Sequence, residues 1–392
     1  MKMFRRGAHR SRRPADTLAR IAPVARALGV TRLADVTGLD RIGIPVFQAV
    51  RPLSLSLSVS QGKGATPDAA RVSALMEAIE LHHAETCSAS SHGVADAGEA
   101  QLWSQMARAD KQGVSFDPAR PRGWIEAIDL LSGRPMRIPH GLVTMDFTVP
   151  AEPDLWPNSN GLASGNTPAE ARCSALCELI EREDHARWLE QGLRARRASA
   201  IDLDSVTDRL GRSLIARVRR AGLSLSLWDM TGSIGAAVIG CAITERGAAR
   251  SVQLPPAMGA GCHPDAGVAR PRAFCEAAQT RAALLAGARD DIDPARYRDA
   301  GQQRQGFLLA MLDFAPATRP WSAVPSVAHD GAEDDLAWLL DRCVMVGAGP
   351  VACHDLTRPD LGIDVVKLLV PAFGDHDRPS RTGTMQAAME PA

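Results

Sequence analysis

No run of about eighteen apolar residues occurs anywhere in the 392-residue chain, so no segment reads as a membrane span. The arginine-bearing first fourteen residues are not followed by the apolar stretch of an export signal, and a cytoplasmic protein is expected. An excess of either charge is missing too: 45 Lys and Arg face 45 Asp and Glu. The chain therefore has no electrostatic reason to seek phosphate backbones or anionic bilayers, and neither nucleic acid nor membrane is expected as its partner. The eight cysteines (Cys87, Cys173, Cys177, Cys241, Cys262, Cys275, Cys343 and Cys353) include no CxxC pair, which removes the usual zinc site and leaves reduced, mostly buried thiols. Cys173 and Cys177 stand four apart on an expected helix, a spacing open to metal, redox pairing or plain core packing. GxxxxGK[ST] is absent, so there is no P-loop.

What is present suffices for a sizeable core, since 45% of the residues are hydrophobic. The first fourteen residues hold Arg5, Arg6, Arg10, Arg12 and Arg13 and are too polar to pack, so 1–16 is expected as a solvated basic arm. No linker of convincing length divides the rest: 17–375 is expected as one unit and 376–392 as a flexible tail. Helices are expected at 17–28, 67–87, 168–191, 206–220, 268–289 and 332–345. Strands are expected within 31–52 and at 223–230, 236–244 and 363–370, with a hairpin of 124–129 and 136–138 about Ser132-Gly133. Leu53, Leu55, Leu57 and Val59 alternate with serines, the period of a half-buried strand. Strands and helices interleave without a βαβ rhythm, so the fold class is α+β, with mixed, largely antiparallel sheets and long helices.

Residues 66–80 and 167–181 repeat one another at an offset of 101 (167 − 66). TPDAARVSALMEAIE and TPAEARCSALCELIE share ten residues in register, more than common apolar periodicity explains. Thr as N-cap with Pro at the first helical position fixes the start of each copy. Three apart, Glu77 and Glu80, and likewise Glu178 and Glu181, present paired carboxylates in one direction, with Ser73 and Ser174 one turn earlier on that side. If the two helices face one another, four carboxylates converge and repel unless cations neutralise them. Oxygen-only ligation suits Mg2+, held by a few carboxylates together with the phosphates of a nucleoside triphosphate. Two other readings stand beside this one: a duplicated solvated helix face, and a di-iron pair. The second wants His three after Glu, where Glu80 and Glu181 stand.

Glycine-bearing loops precede both copies, Gly62-Lys63-Gly64-Ala65-Thr66 and Asn160-Gly161-Leu162-Ala163-Ser164-Gly165-Asn166-Thr167. A loop entering a helix N-terminus aims N–H groups and the helix dipole at a phosphate, and Lys63 adds charge. The third long helix carries Arg272, Glu276 and Gln279, again an acid and an amide three apart, after Gly259-Ala260-Gly261. It fits cationic and amide contacts to a nucleotide, or an ordinary exposed face.

The combination GKGAT, SALxExIE, NGLASGNT, a second SALxExIER and RAxxExxQxR, over about 51–289, resembles the YcaO family. The resemblance implies an α+β fold that binds ATP and Mg2+ between such helices and activates peptide amides for cyclisation or sulfur insertion, as a homodimer. It implies that Glu77, Glu80, Glu178 and Glu181 are Mg2+ and nucleotide ligands and that Asn166 and Arg182 contact the nucleotide. Lys63, Arg272, Glu276 and Gln279 join the nucleotide site on the same ground, and Ser73 joins it by its place on the face of Glu77. Where the family has a serine three before the asparagine, this chain has Ala163, with Ser164 beside it. Residues 29–46 resemble the subgroup that works with TfuA-like proteins and makes thioamides, and the chain end lacks the proline-rich tail of azoline-forming members. The expectation is an enzyme that activates a peptide or protein backbone amide by O-phosphorylation, with sulfide delivered by a TfuA-like partner and a thioamide as product. An azoline-forming cyclodehydratase, and a non-catalytic accessory factor for ribosomal-protein methylthiolation, are the rival readings. No side chain identifies itself as the general base, His82 and His83 included.

Overall fold

The computed structural model describes residues 8–106, 115–245, 254–288 and 317–374. Its three longest helices start on the same chemistry. Thr66 Oγ1 accepts from Ala69 N (3.3 Å), Thr167 Oγ1 from Glu170 N (3.2 Å) and Asp265 Oδ1 from Gly267 N (2.8 Å). Each cap satisfies an N–H that the helix itself leaves without a partner.

In chain order the described helices are α1 (Pro14–Ala27), α2 (Pro67–Glu85), α3 (Ala97–Trp103), α4 (Pro168–Glu190), α5 (Leu193–Ala198), α6 (Arg209–Arg220), α7 (Ala266–Ala286) and α8 (Ala332–Met345). The strands are β1 (Arg32–Asp35), β2 (Val46–Val50), β3 (Val59–Lys63), β4 (Ser91–Gly93), β5 (Arg122–Asp129), β6 (Pro135–Pro139), β7 (Leu162–Gly165), β8 (Leu223–Asp229), β9 (Ala237–Glu245), β10 (Ala257–His263), β11 (Ala352–Asp355) and β12 (Asp364–Leu369). They form three antiparallel sheets, ordered β1-β2-β3, β10-β9-β8 and β4-β5-β11-β12-β7, with β6 on β5. None of the described helices is long and apolar enough to cross a membrane.

One arrangement recurs three times. The edge strands β3, β7 and β10 each run directly into a long helix, α2, α4 and α7 respectively, which folds back on its own strand. Each helix also touches the next unit's edge strand: α2 meets β7, α4 meets β10 and α7 meets β3. The contacts close a ring, and the unpaired edges are covered by helices rather than left to pair with another chain. Close approach demands glycine: a Cβ at Gly62 would overlap the Ala70 carbonyl, and one at Gly261 the Ala269 carbonyl. Each long helix fills its own apolar cluster, α2 with Ala74 and Ile79, α4 with Leu176 and Ile180, α7 with Phe274 and Ala277.

Two local expectations are corrected. Residues 53–58 are not a strand; only Val59–Lys63 is. The alternating serines serve a buried carboxylate instead: Glu85 accepts from Ser54 Oγ (2.7 Å), Ser56 N (3.1 Å) and Ser56 Oγ (2.5 Å), besides both terminal nitrogens of Arg51 (2.6 Å each). Leu53 is left 90% exposed.

The basic arm is the second. Residues 8–13 pack against the body, and helix α1 already starts at Pro14, so the boundary at 16 falls inside a helix. Buried acids receive the arm: His9 Nδ1 lies 2.5 Å from Asp335 Oδ2, and Ser11 N donates to Glu170 Oε1 (2.5 Å). The third long helix ends at Ala286, capped by Gly287, short of the expected Arg289, which with residues 1–7 of the arm and the tail 376–392 lies outside the described residues.

Candidate functional site

Asp265, Arg272, Glu276 and Gln279 stand 199 residues (265 − 66) after Thr66, Ser73, Glu77 and Glu80. Gly261 approaches Ala269 and Ala273 as Gly62 approaches Ala70 and Ala74. The third unit is thus a copy whose letters have diverged, with arginine replacing the serine and glutamine replacing the second glutamate. The ring brings all three helices together, and their acids are within electrostatic reach of one another: Glu80 feels Glu178, Glu178 feels Glu276, and Glu276 acts on Glu181.

Two basic groups hold this shell. Lys63 Nζ pairs with Glu276 Oε2 at 2.6 Å and also feels Glu181 and Glu77. Arg182 stands 3.6 Å from Glu178 and acts on Glu181 and Glu276 as well. Glu80 Oε1 accepts from both Ser164 N (2.7 Å) and Ser164 Oγ (2.6 Å), so the hydroxyl beside Ala163 is spent on a carboxylate. Burial nevertheless pushes the Glu80 carboxyl up to about 7. Burial, then Glu276, pushes Glu181 upward, and burial does the same to Glu178. Glu276 goes down: against its burial, Lys63 and Arg182 favour its charged form. Burial thus disfavours the charged form of Glu80, Glu178 and Glu181, and the acids around them add to it.

The remaining expected residues are placed as follows. Ser73 is half-buried on α2, one turn before Glu77. Asn166 is engaged at the mouth of α4, donating through N and Nδ2 to Glu170 (3.0 Å each) and accepting from Thr17 Oγ1 (2.9 Å). Arg272 donates to the Cys262 carbonyl at 2.9 Å. Gln279 Nε2 donates to Gln61 Oε1 (3.3 Å), while its own buried Oε1 has no hydrogen bond among the described residues. Cys173 and Cys177 are buried, and their thiols are raised well above the ordinary value. Hydrogen bonds lead the causes at both: Cys177 raises Cys173, while Cys173 acts against the rise at Cys177, which Cys262 and burial produce. His83 is buried, with Nδ1 on the Ile79 carbonyl (2.7 Å), and His82 sits by Arg51 (3.5 Å).

Three participants were missed. Arg10 reaches in from the arm, donating to Ser174 Oγ (3.0 Å) and standing 3.7 Å from Glu170. Its burial and the nearby Arg272 lower its basicity, two cations sharing one end of the site. Glu170 occupies the third position after the Thr167 cap, where a capping-box acid is at home; the first copy has Ala69 there. Lys367, 1% exposed on β12, donates to the Asn158 carbonyl (2.6 Å) and lies near Glu178. A lone lysine inside Val-Val-Lys-Leu-Leu was the available signal; nothing in the sequence set Arg10 apart from its neighbours.

Five carboxylates from three helices and an amide oxygen form an oxygen-rich donor set beside the basic groups Lys63, Arg182, Arg272, Arg10 and Lys367. That set fits a hard divalent cation with a polyphosphate.

Comparison with known proteins agrees. The family described as YcaO cyclodehydratase, ATP- and Mg2+-binding, matches residues 61–374. A Rhizobium leguminosarum bv. trifolii protein named for its place in the tfuA 3′ region is 34% identical, over 92% of this chain and 87% of that protein. A Mycobacterium tuberculosis protein is 35% identical, over 94% of this chain and 83% of its own length. Among solved structures, the YcaO of Methanopyrus kandleri bound with AMPPCP and Mg2+ shares the fold at a TM-score of 0.72 and 24% identity, over 95% of this chain and 94% of that one. A heterocyclase in complex with substrate and cofactor does so at 0.77 and 21%, over 96% of this chain and 55% of that one. With the family match spanning residues 61–374 and a relative 34% identical over 92% of its length, this chain belongs to the YcaO family of ATP- and Mg2+-binding proteins.

Proposed function

We propose that the chain activates a backbone amide of a peptide or protein by transferring the γ-phosphoryl of ATP to its oxygen, and that the product is a thioamide. The observation that carries this reading is the convergence of Glu77, Glu80, Glu178, Glu181 and Glu276 on one another beside Lys63 and Arg182.

Glu77, Glu80, Glu178, Glu181 and Glu276 would hold Mg2+, which when bound neutralises charge on the triphosphate. Lys63, Arg10 and Arg272 lie at the helix N-terminal side of the shell and bind phosphate oxygens; Gln279 and Arg182 orient the nucleotide. Hydrosulfide adds to the amide carbon, the resulting oxyanion attacks the γ-phosphorus and ADP leaves. Phosphate then leaves with the C–O bonding pair as the S–H proton is lost to solvent, and C=S remains. The chain's contribution is positioning and charge complementarity. A TfuA-like protein as sulfur carrier is supported by the tfuA-region relative.

The second reading, cyclodehydration with a Cys, Ser or Thr of the peptide as nucleophile, is favoured by the family's description and the heterocyclase of like fold. Mass spectrometry of a candidate peptide treated with the protein, ATP, Mg2+ and sulfide separates the two. Exchange of oxygen for sulfur with ADP release supports thioamidation, loss of water supports cyclodehydration, and no ATP consumption with any peptide overturns both.

A further inference from the structure

Away from the carboxylate shell, one buried carboxylate gathers three histidines from separate parts of the chain. Asp335, in the first turn of α8, is 1% exposed. Its Oδ2 lies 2.5 Å from His9 Nδ1 on the arm and 3.4 Å from His263 Nε2 at the end of β10; its Oδ1 lies 2.9 Å from His329 Nδ1. His9 and His263 are 7% and 2% exposed, their rings edge to face at 5.7 Å.

The cluster has the composition of a metal site, but its hydrogen bonds say otherwise. His263 Nδ1 accepts the backbone N–H of Asp265 (3.0 Å), so the imidazole carries its proton on Nε2, where it faces Asp335. A histidine bound to metal through Nε2 does the reverse and donates from Nδ1. Burial lowers His263 to about 4, so the ring is a neutral donor to the carboxylate. Against its own burial, the His263, His329 and His9 hydrogen bonds hold Asp335 well below the usual carboxylate range. A buried anion thus takes charge-assisted hydrogen bonds from the histidines around it.

We propose that Asp335 is the keeper of a latch: by binding His9 it seats the arm, and so places the adjoining Arg10 on Ser174 at the phosphate end of the nucleotide site. His9 and Asp335 are then positioning residues, acting through Arg10, and the assignment rests on the reading of that site as nucleotide-binding. Arg10 lies outside every helix and strand, in a single β-bridge, and its two neighbours flank it with contacts to buried acids, His9 on Asp335 and Ser11 on Glu170.

The full-length protein with Ala at position 9, His9→Ala, tests this through two readouts. Brief trypsin treatment reports arm seating at the Arg10–Ser11 and Arg12–Arg13 bonds, and calorimetry reports Mg2+·ATP binding. The latch predicts cleavage at Arg10–Ser11 about tenfold faster than in the wild type, and a dissociation constant about tenfold higher. His9→Ala combined with Arg10→Ala should bind no more weakly than Arg10→Ala alone, because the first change acts only through the second. Asp335→Asn should behave as His9→Ala. Unchanged cleavage, additive losses, or one zinc per chain that Asp335→Asn removes would each overturn the latch. If the wild type binds no ATP, the nucleotide reading fails while the cleavage rates still report on the arm.

Discussion

Lys63 Nζ stands 2.6 Å from Glu276 Oε2, so the edge strand of the first unit is tied to the helix of the third across the shell of acids. Both residues sit at the seam where the ring of sheet-and-helix units closes, since α7 packs on β3.

Lys63→Met should weaken Mg2+·ATP about tenfold, because it removes the cation that pairs with Glu276 and faces the phosphates. Adding Glu276→Gln should not weaken binding by the product of the two single effects, since the residues share one contact. Calorimetry on the single and double variants checks this; fully additive losses would contradict the pairing.

Protons and Mg2+ should compete. Glu80 at about 7, and the raised Glu181, bind protons more tightly folded than unfolded, where carboxyls titrate near 4.5. Their contribution to stability is therefore fully present at or below pH 4.5 and is lost as pH rises through about 7. Asp184, buried against Gly232 and raised to about 7, works in the same direction. Without Mg2+ the melting temperature should fall across this window, and the stabilisation added by Mg2+ should grow across it. Glu80→Gln should raise the metal-free melting temperature at pH 8 and reduce the Mg2+ response. Scanning calorimetry at pH 5.5 and 8 decides, and an equal Mg2+ effect at both would contradict the assignment.

Glu85 lies on the same helix as Glu77 and Glu80 but belongs to the core, locked to Arg51. Glu85→Gln should cost about 3 kcal/mol, the effect of breaking a buried pair, and leave the ATP affinity of the folded protein unchanged. Denaturant unfolding with parallel ATP titration tests the distinction between the two kinds of glutamate.

Gly62→Ala should destabilise by about 2–4 kcal/mol, because its Cβ meets the backbone of Ala70 and Ala74 where β3 crosses α2. Gly38→Ala, in open space, is the control and should fall within about 0.5 kcal/mol of the wild type. Equal unfolding midpoints for the two would contradict the close approach.

The site's first two helices were legible because repetition preserved both their letters and their caps: Thr66-Pro67 and Thr167-Pro168 fix the register, and the register fixes the glutamate pairs. The third was half legible: Gly261 repeats Gly62 and Asp265 caps as threonine does, but Asp, Arg and Gln stand at 265, 272 and 279 where the first copy has Thr66, Ser73 and Glu80. Residues 53–58 misled because serines spaced to reach Glu85 imitate the alternation of a strand. The arm misled for a related reason. Composition reports the polarity of residues 8–13, while their fate was decided by Asp335 and Glu170, acids more than 150 residues away in sequence. The cyclic closure of the three units is a tertiary property with no local signal.

The central claim is that acids from separate repeats form one metal and nucleotide site. Calorimetric titration of Mg2+·ATP into the wild type, Glu77→Ala and Glu178→Ala tests it most directly. The account predicts saturable binding by the wild type and its loss in both variants. Unchanged binding in either variant, or none in the wild type, would contradict it.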